Sequence, residues 1–215
     1  HGQEFLSIIN KRKRIENCLK NVSFIICSSS FTSKLIYDLK ISTVPTIVIP
    51  PTYSLKAVSN QRNNVLKNTN KVFLLTICRL EKRKGIIPVL KSLSEMNNNK
   101  ILKPFFWNIC GEGLLADEIK QCIKDLNLSK NIKLVGKVNA QEKEIFLEKS
   151  DLFVMPSYKV NNSIEGFGIS YVEAAAYGVP SIAGIEGGVK DAVLNGKTGW
   201  CVDPLDKLAL TDTLK

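Results

Sequence analysis

The stretch "KVFLLTICRLEKRKGIIPVL", residues 71–90, carries two patterns that together decide the fold. Its first part, 72–77, is a short β-rich apolar run bounded by polar residues, which is typical of a buried strand. Beyond a cationic turn the pattern becomes helical and predicts a helix near 85–97. A strand followed at once by a helix is a βα unit, from which parallel sheets are built.

Strand-like and helix-like segments alternate in the same way along the whole chain. This alternation predicts an α/β fold in which a mainly parallel, Rossmann-like sheet is flanked by helices. In such sheets, ligands collect at the loops that follow the carboxyl ends of the strands. The predicted strands are 22–27, 46–49, 72–77, 105–110, 132–135, 151–155, 181–183 and 200–202. The predicted helices lie near 3–20, 31–40, 85–97, 114–126, 141–149, 168–177 and 205–214.

One segment, "PPTYSLKAVSNQRNNVLKNTN" at 50–70, is polar, rich in Asn and weakly periodic, which is typical of a boundary. We therefore predict that residues 1–55 are the tail of a preceding domain, that 56–70 form a linker, and that 71–215 form an α/β unit. The sequence starts without Met and stops within a helical pattern. We expect it to be a fragment of a longer protein, truncated at the end of its last domain.

The composition is that of an ordinary globular protein, with 44% hydrophobic and 23% charged residues among 215. No apolar run approaches the roughly 20 residues that a membrane-spanning helix needs. The six cysteines are scattered, with no CxxC pair and no spacing typical of metal ligands. These features favour a cytoplasmic protein with reduced thiols, no disulfide and no metal site.

The net charge of +10 raises three alternatives: a nucleic-acid ligand, an acidic membrane face, or a phosphorylated small ligand. The only dense basic block, "KRKR" at 11–14, lies on a predicted helix without interleaved aromatic residues for base stacking. We therefore expect no nucleic-acid partner, whereas peripheral contact with an inner membrane face stays open.

The turn "RLEKRKG", 79–85, follows a predicted strand and begins a helix. Arg79 and Lys84 could both reach an anion at that helix N-terminus, where backbone N–H groups and the helix dipole favour negative charge. A planar guanidinium and a point-like ammonium suit a diphosphate. The alternative is a solvated basic turn, since Lys82 and Arg83 make the whole stretch cationic.

In "ICGEGLLADEI", Gly111, Gly113 and Ala116 fit the G-x-G-x-x-A pattern of dinucleotide-binding folds. That pattern requires an acidic residue near the end of the next strand, to hold a ribose. The next strand ends instead in Gly136 and Lys137, so we interpret the glycines as a tight turn.

The stretch "EGFGISYVEAAAYGVP", 165–180, places a carboxylate on a predicted apolar helix. Ile169, Val172 and Ala176 form the expected apolar stripe, and Glu173 lies on the same stripe. A buried carboxylate needs a polar partner, because without one its burial is costly. The hydroxyls of a ligand would serve, and so would an internal salt bridge or an edge position that reaches solvent.

The residues just before this helix suggest a phosphate site. Gly166, Phe167 and Gly168 leave the helix N-terminus open, and glycine lets the backbone approach a phosphate closely. Glu165 would then face whatever is attached to that phosphate. A sugar attached through phosphate, with a ribose held further along the helix, fits these groups.

The spacing Glu165-x7-Glu173, within "EGFGISYVEAAAYGVPSIAGIEGGVKDAVLNGKTGWCVDP", resembles the signature of retaining nucleotide-sugar glycosyltransferases with the two-domain GT-B fold, and looks most like glycosyltransferase family 4. The segments "RLEKRKG", "ICGEG", "IKLVGKV" and "DLFVMPS" resemble further family motifs in the same order, so the resemblance covers nearly all of 71–215. "HGQE" at the start is similar to a His-Gly segment late in the family's N-terminal domain.

This resemblance implies that the chain is the C-terminal half of a GT-B fold, in which 71–215 bind the donor and 1–55 end the acceptor-side domain. Arg79 and Lys84 would hold the donor's diphosphate and stabilise it as it leaves. Glu173 would hydrogen-bond the ribose hydroxyls. His1 would correspond to a family histidine near the sugar at the domain cleft.

The remaining implied roles belong largely to the backbone. The donor sugar and phosphate would contact Glu165, Gly166, Phe167 and Gly168, and the nucleobase would meet Gly136, Lys137 and Val138. The resemblance departs at Asp191, where the family usually carries Glu, and no role is carried over to that residue.

By resemblance, the function is transfer of a sugar from a nucleotide-diphosphate donor to an acceptor hydroxyl with retention of anomeric configuration. No Asp-x-Asp pair is present to hold a divalent ion, which agrees with the metal-independent, cofactor-free chemistry that the family implies. The acceptor stays open among lipid, glycan, protein and small molecule. The main alternative is a module that binds a nucleotide sugar without turnover, as we expect of the fragment by itself.

Overall fold

A six-stranded, fully parallel β-sheet organises most of the chain in the computed structural model, which describes residues 12–40, 42–53 and 70–215. Its strands are β3 (Val72–Ile77), β4 (Phe105–Cys110), β5 (Ile132–Gly136), β6 (Leu152–Met155), β7 (Ser181–Ala183) and β8 (Gly199–Cys201). Their spatial order is β5-β4-β3-β6-β7-β8. The predicted α/β fold with a Rossmann-like parallel sheet is confirmed.

Helices cover both faces of this sheet. They are α3 (Ile86–Asn98), α4 (Ala116–Asp125), α5 (Ala140–Lys149), α6 (Ile169–Ala176), α7 (Val189–Ala192) and α8 (Lys207–Leu214). Residues of α3, α4 and α8 share one buried cluster, and residues of α5, α6 and α7 share another. The sheet therefore forms the middle of three layers.

The two-residue period of each strand explains the two clusters. Leu74 faces the first cluster and Leu75 the second, while on β6 Val154 faces the first and Phe153 the second. A parallel strand buried on both faces carries a nearly continuous apolar run, which is why "VFLLTI" shows no polar alternation.

The order in which successive strands are added to the sheet reverses between β3 and β6. From β3 it adds β4 and β5 on one side, and then returns to place β6, β7 and β8 on the other. Phe73 N–H donates to the carboxylate of Asp151, and Asp151 N–H donates to the carbonyl of Phe73, both at 2.8 Å. Open α/β sheets bind ligands beyond the carboxyl ends of the strands at such a reversal, and we refer to this place as the crevice.

A smaller unit precedes the sheet. It contains α1 (Arg12–Leu19), β1 (Ile25–Cys27), α2 (Ser30–Asp38) and β2 (Thr46–Val48), with β1 and β2 paired in parallel. Ile15, Leu19 and Ile36 pack around Cys27 on one face of this pair. The opposite face is open, since Ile26 and its register partner Ile47 are 58% and 45% exposed.

Across the described residues, no helix is long and apolar enough to cross a membrane. All six cysteines lie in this part of the chain as free thiols. The predicted linker 56–70 lies outside the described residues except for Asn70, as do 3–11 of the first predicted helix.

Candidate functional site

An ion-pair cluster occupies the crevice between β3 and β6. It forms where the turn after β3 meets the long loop between β6 and α6. The Glu165 carboxylate accepts a hydrogen bond from the Arg83 guanidinium at 2.8 Å and another from Lys84 Nζ at 2.5 Å. The three side chains are only 12%, 5% and 9% exposed. Three charges are therefore held in fixed positions with little contact with water.

The cluster continues outward to solvent. Arg83 Nε also donates to Glu81 at 3.0 Å, and Glu81 pairs with Arg79 at 3.2 Å. The Arg79 side chain is 67% exposed, so it marks the outer end of the cluster. Three cations face two carboxylates, which leaves one positive charge in excess at the crevice. The structure thus brings Lys84 and Glu165 together, while Arg79 is linked to them only through Glu81 and Arg83.

Two opposing effects set the pKa of Glu165. Burial raises the pKa of this carboxyl. The charges of Lys84 and Arg83 and the hydrogen bonds from both lower it by more, so the net shift of the pKa is downward. The neighbouring Cys78 responds differently, because burial outweighs the field of Lys84 and raises the pKa of its thiol to about 12. Glu165 is therefore an anion and Cys78 a neutral thiol near neutral pH.

Arg83 was not among the predicted site residues, because the sequence patterns show it, with Lys82, only as part of a cationic turn. These residues lie in a 3₁₀ turn, Lys82–Lys84, which directs the side chain of Lys82 to solvent and buries Arg83 and Lys84. The carbonyl of Arg83 also accepts a hydrogen bond from Tyr158 N–H at 2.9 Å. Nothing within three consecutive cations distinguishes the buried ones in advance.

The N-terminus of α6 opens onto the same crevice. Its N-cap residue is Gly168, at φ 94°, and no side chain of the described residues caps the helix start. A Cβ at this position would lie 2.5 Å from the ring of Tyr171. Tyr171 is fully buried and donates its hydroxyl to the carbonyl of Met155 at 2.5 Å, which anchors α6 to the end of β6. Glycine is thus required where the backbone faces the crevice.

The loop 165–168 is held from behind by main chain. Gly188 N–H donates to the carbonyl of Glu165 at 2.9 Å, and the Ser29 hydroxyl donates to the carbonyl of Gly166 at 2.6 Å. Phe167 buries its side chain, so this loop offers ligands its backbone and the Glu165 side chain. Both units of the chain therefore support the same loop.

Asp191, to which sequence reasoning gave no role, joins the two units. It lies in α7, a short helix that the sequence patterns did not predict. Ser30 donates to its carboxylate through both the backbone N–H and the hydroxyl, the latter at 2.8 Å. The acid thus accepts hydrogen bonds at the N-terminus of α2, where a helix dipole favours an anion.

Glu173 differs from its predicted surroundings. The buried face of α6 is formed by Tyr171 and Ala174, whereas Ile169 is 38% exposed, so the predicted stripe is wrong. The reason is that Tyr171 reaches β6 and fixes which face of the helix is inward. Glu173 is 13% exposed and accepts a hydrogen bond from Lys143 Nζ at 2.5 Å. The internal salt bridge left open by the sequence is thus present.

The residues predicted to meet a nucleobase lie at the carboxyl end of β5, the outermost strand on one side of the sheet. The ion-pair cluster also lies beyond carboxyl ends of strands. Gly136 has φ 86° and its carbonyl accepts a hydrogen bond from Gly111 N–H at 2.7 Å. Lys137 is exposed, and Val138 packs against the second cluster. The glycine backbone angles predicted for the tight turn at Gly111 are present, since Gly111 has φ 136° and Gly113 has φ 159°. A Cβ on Gly111 would also lie 1.8 Å from the carbonyl oxygen of Cys78.

Two features stand apart from this site. His1 lies outside the described residues. A cavity of about 800 Å³ opens at the opposite edge of the sheet, where Val72, Phe105 and Trp200 line it. None of the predicted site residues that the structure describes borders that cavity, so the cavity is not part of the candidate site.

Comparison with known proteins places these features in context. A family model described as "Glycosyl transferases group 1" matches residues 58–215. The chain is 31% identical over 140 residues to a GDP-mannose-dependent alpha-(1-6)-phosphatidylinositol monomannoside mannosyltransferase from Mycolicibacterium smegmatis. That match covers 64% of this chain and 36% of the mannosyltransferase, so the chain spans about a third of the relative's length.

Solved structures agree at the level of fold. Sucrose-phosphate synthase from Thermosynechococcus elongatus superposes with a TM-score of 0.79 at 22% identity, covering 95% of this chain and 51% of that chain. Anabaena Alr3699/HepE in complex with UDP and glucose superposes with a TM-score of 0.78 at 20% identity, covering 100% and 57%. These neighbours are GT-B glycosyltransferases, and they confirm the predicted fold class, an α/β fold with a Rossmann-like parallel sheet flanked by helices.

Proposed function

This chain belongs to the family of group 1 glycosyl transferases, and on that premise we propose that it moves a sugar from a nucleotide-diphosphate donor to an acceptor hydroxyl. The proposal extends to retention of anomeric configuration and to metal-independent chemistry, as in glycosyltransferase family 4. The matched spacing of Glu165 and Glu173 supports this extension. The UDP complex of the Anabaena neighbour supports a nucleotide sugar as the donor.

The observation that carries the proposal is the ion-pair cluster at the crevice between β3 and β6. In the reaction, the acceptor oxygen bonds to the anomeric carbon, and the bond from that carbon to the diphosphate breaks. Its electron pair and the acceptor's proton leave with the diphosphate. Negative charge grows on the leaving group, so cations fixed beforehand stabilise the transition state more than the ground state.

The cluster supplies such cations without a metal ion. Arg83 and Lys84 are held by Glu165, and Arg79 extends toward solvent at the outer end. Beside them, the open N-terminus of α6 offers backbone N–H groups to a phosphate. Glu173 would bind the ribose, and the turn at Gly136 the base. His1 would lie near the sugar.

The setting of the reaction is part of the proposal. We infer a cytoplasmic protein in which the basic block at 11–14 contacts an anionic inner membrane face. The proposal leaves the acceptor open among lipid, glycan, protein and small molecule.

Calorimetric titration of UDP, GDP and ADP into the chain tests the proposal. We expect saturable binding of one of them, with or without EDTA. Arg79→Ala should weaken it about tenfold or more, the effect of losing a charge-assisted hydrogen bond. The matched control is Lys82→Ala, which removes an exposed cation from the same turn and should change little.

The outcomes separate the candidate functions. A folded chain that binds none of the three nucleotides contradicts the donor site. Binding without release of nucleotide from UDP-glucose or GDP-mannose, when acceptors are supplied, favours the module without turnover. Where a product forms, the coupling constant of its anomeric proton reports retention or inversion.

A further inference from the structure

Lys143 and Glu173 form an ion pair in which no sequence motif identifies the lysine. Lys143 lies in the first part of α5, just after β5, and its Nζ is 2.5 Å from Glu173 Oε1 on α6. The two side chains are 24% and 13% exposed. The pair thus connects α5, the helix that follows the turn proposed to meet the base, with the carboxylate proposed to meet the ribose.

The stability of α5 does not explain a lysine at this position. The helix start is already satisfied by a capping box, in which Asn139 accepts from Glu142 N–H at 2.9 Å and Glu142 accepts from Asn139 N–H at 2.8 Å. A cation so near a helix N-terminus is disfavoured by the dipole. A partly buried ion pair also adds little net stability, because desolvation offsets the attraction.

The geometry of the pair suits recognition of a vicinal diol. Lys143 occupies Oε1 of Glu173, and within the described residues no other group donates to that carboxylate, so Oε2 is available to ligand hydroxyls. The ammonium has three N–H groups, of which Glu173 takes one. Lys143 Nζ also lies 5.7 Å from the ring centroid of Tyr53, which restricts its position further.

We propose that Lys143 is a positioning residue for the ribose of the nucleotide: it fixes Glu173 in the orientation that accepts the ribose hydroxyls. This proposal rests on the proposed function, in which Glu173 binds the ribose. Fixing the carboxylate before the ligand arrives lowers the side-chain entropy lost on binding. The effect of Lys143 should therefore depend on the hydroxyls of the ligand.

The test compares UDP, GDP and ADP with their 2′,3′-dideoxy analogues by calorimetry. We expect Lys143→Met to weaken binding of the ribonucleotide about tenfold, the scale of one charge-assisted hydrogen bond. We expect the wild type to bind the dideoxy analogue weakly and Lys143→Met to bind it equally weakly. Lys143→Arg should restore most of the preference for ribose. Lys124→Met, at the far end of α4, is the matched control and should bind both ligands as the wild type does.

Two further variants keep the test decisive. In a Glu173→Gln background, Lys143→Met should add little, because the lysine acts through the carboxylate. If Lys143→Met does not fold, as judged by circular dichroism, Lys143→Gln retains an amide donor and should show a smaller loss specific to ribose.

The outcomes that overturn the proposal are distinct from those that overturn the donor site. Equal weakening of ribonucleotide and dideoxy analogue would show a merely structural role. Unchanged binding of the ribonucleotide by Lys143→Met would show no role. Failure of the wild-type chain to bind any of the three nucleotides would contradict the proposed function itself, and this inference with it.

Discussion

The Glu165 carboxylate binds both buried cations of the site, Arg83 and Lys84. Two cations from the turn after β3 share a single one of its oxygens, Oε2, and no donor among the described residues contacts its other oxygen. Glu165 thereby fixes Lys84 and, together with Glu81, fixes Arg83. A donor phosphate would therefore meet cations that are already oriented, which is the condition for electrostatic catalysis.

Substitution of Glu165 should reveal this arrangement through its pH dependence. The pKa of Glu165 is lowered in the folded chain from its ordinary value of 4.5. Such a carboxyl adds stability that is present above about pH 4.5 and is lost as the pH falls through the folded pKa. We expect Glu165→Gln to lower the free energy of unfolding, measured in urea at pH 7, by about 1.5–3 kcal/mol. At pH 3 the difference from wild type should be smaller.

The control for that comparison is Glu112→Gln, which changes an exposed carboxyl on the same edge of the sheet. Its stability should follow that of the wild type across the pH range. If the free energies of unfolding of Glu165→Gln and wild type differed equally at pH 3 and pH 7, the charge of the Glu165 carboxylate would not be the source of its stabilising effect.

Single residues were predicted unevenly, for a physical reason. Lys84 and Glu165 were identified because their motifs resemble those of a family. Arg83 and Lys143 were not, since the burial of each depends on a partner 82 or 30 positions away, which local periodicity does not encode. Side-chain pairing across the sheet is decided by which loops the topology brings together.

At the scale of elements, strands were predicted better than helix faces. β3, β4 and β7 have the predicted bounds, because a parallel strand buried on both faces is a continuous apolar run. The face of α6 was wrong, since the apolar residues of "ISYVEAAA" fit more than one stripe and the reach of Tyr171 decides among them. Helix α7 was missed because four residues are too few to show a period.

The loop 165–168 offers a test of how neighbouring elements shape the site. Gly188 has an ordinary φ of −86°, yet a Cβ there would lie 2.0 Å from the carbonyl oxygen of Gly166 and 2.7 Å from the Ser29 hydroxyl oxygen. We expect Gly188→Ala to displace the loop, to lower the free energy of unfolding by about 1–3 kcal/mol, and to weaken nucleotide binding. Urea unfolding and calorimetry measure the two effects.

A matched substitution separates crowding from backbone strain. Gly196 has φ 76°, and among the described residues no atom beyond its chain neighbours lies within 4 Å of the place that a Cβ would take. Gly196→Ala therefore meets only the backbone cost, about 1 kcal/mol. It should leave nucleotide binding intact. If Gly188→Ala binds nucleotide as tightly as Gly196→Ala does, the position of the loop does not govern the site.

At the scale of the whole molecule, charge and topology act differently. The excess of ten positive charges is a property of the entire surface, whereas the crevice holds only one charge in excess among the described residues. Sequence composition predicts the first and says nothing of the second. The reversal of strand order between β3 and β6 is what concentrates the charged loops, and it emerges only when the order of the strands in the sheet is known.

Salt dependence should distinguish these two kinds of charge. We expect binding to an unrelated DNA duplex to fall away between about 50 and 200 mM salt, because it rests on counterion release. Saturable binding of a nucleoside diphosphate should persist, since its contacts are partly buried. Fluorescence anisotropy of a labelled duplex in a salt series, with calorimetry of the nucleotide beside it, measures both.

The contrary result would be tight, saturable duplex binding at about 150 mM salt together with no nucleotide binding. It would favour the basic scaffold over the glycosyltransferase. Lys82→Ala serves again as control, because the loss of one exposed charge should lower the duplex salt slope by only about one.

The same reversal of strand order also affects how the protein folds while it is being synthesised on the ribosome. One edge of β3 pairs with the segment around Asp151, which lies 78 positions beyond Phe73. At about 5–20 residues per second of synthesis, that edge waits roughly 4–16 s for its partner. During this interval β3 can pair with β4, and β5 can join beyond β4, but the other edge of β3 stays open to pairing with another chain. Slower translation between β5 and β6 would prolong this exposure, so yield on expression should be sensitive to codon choice in that segment.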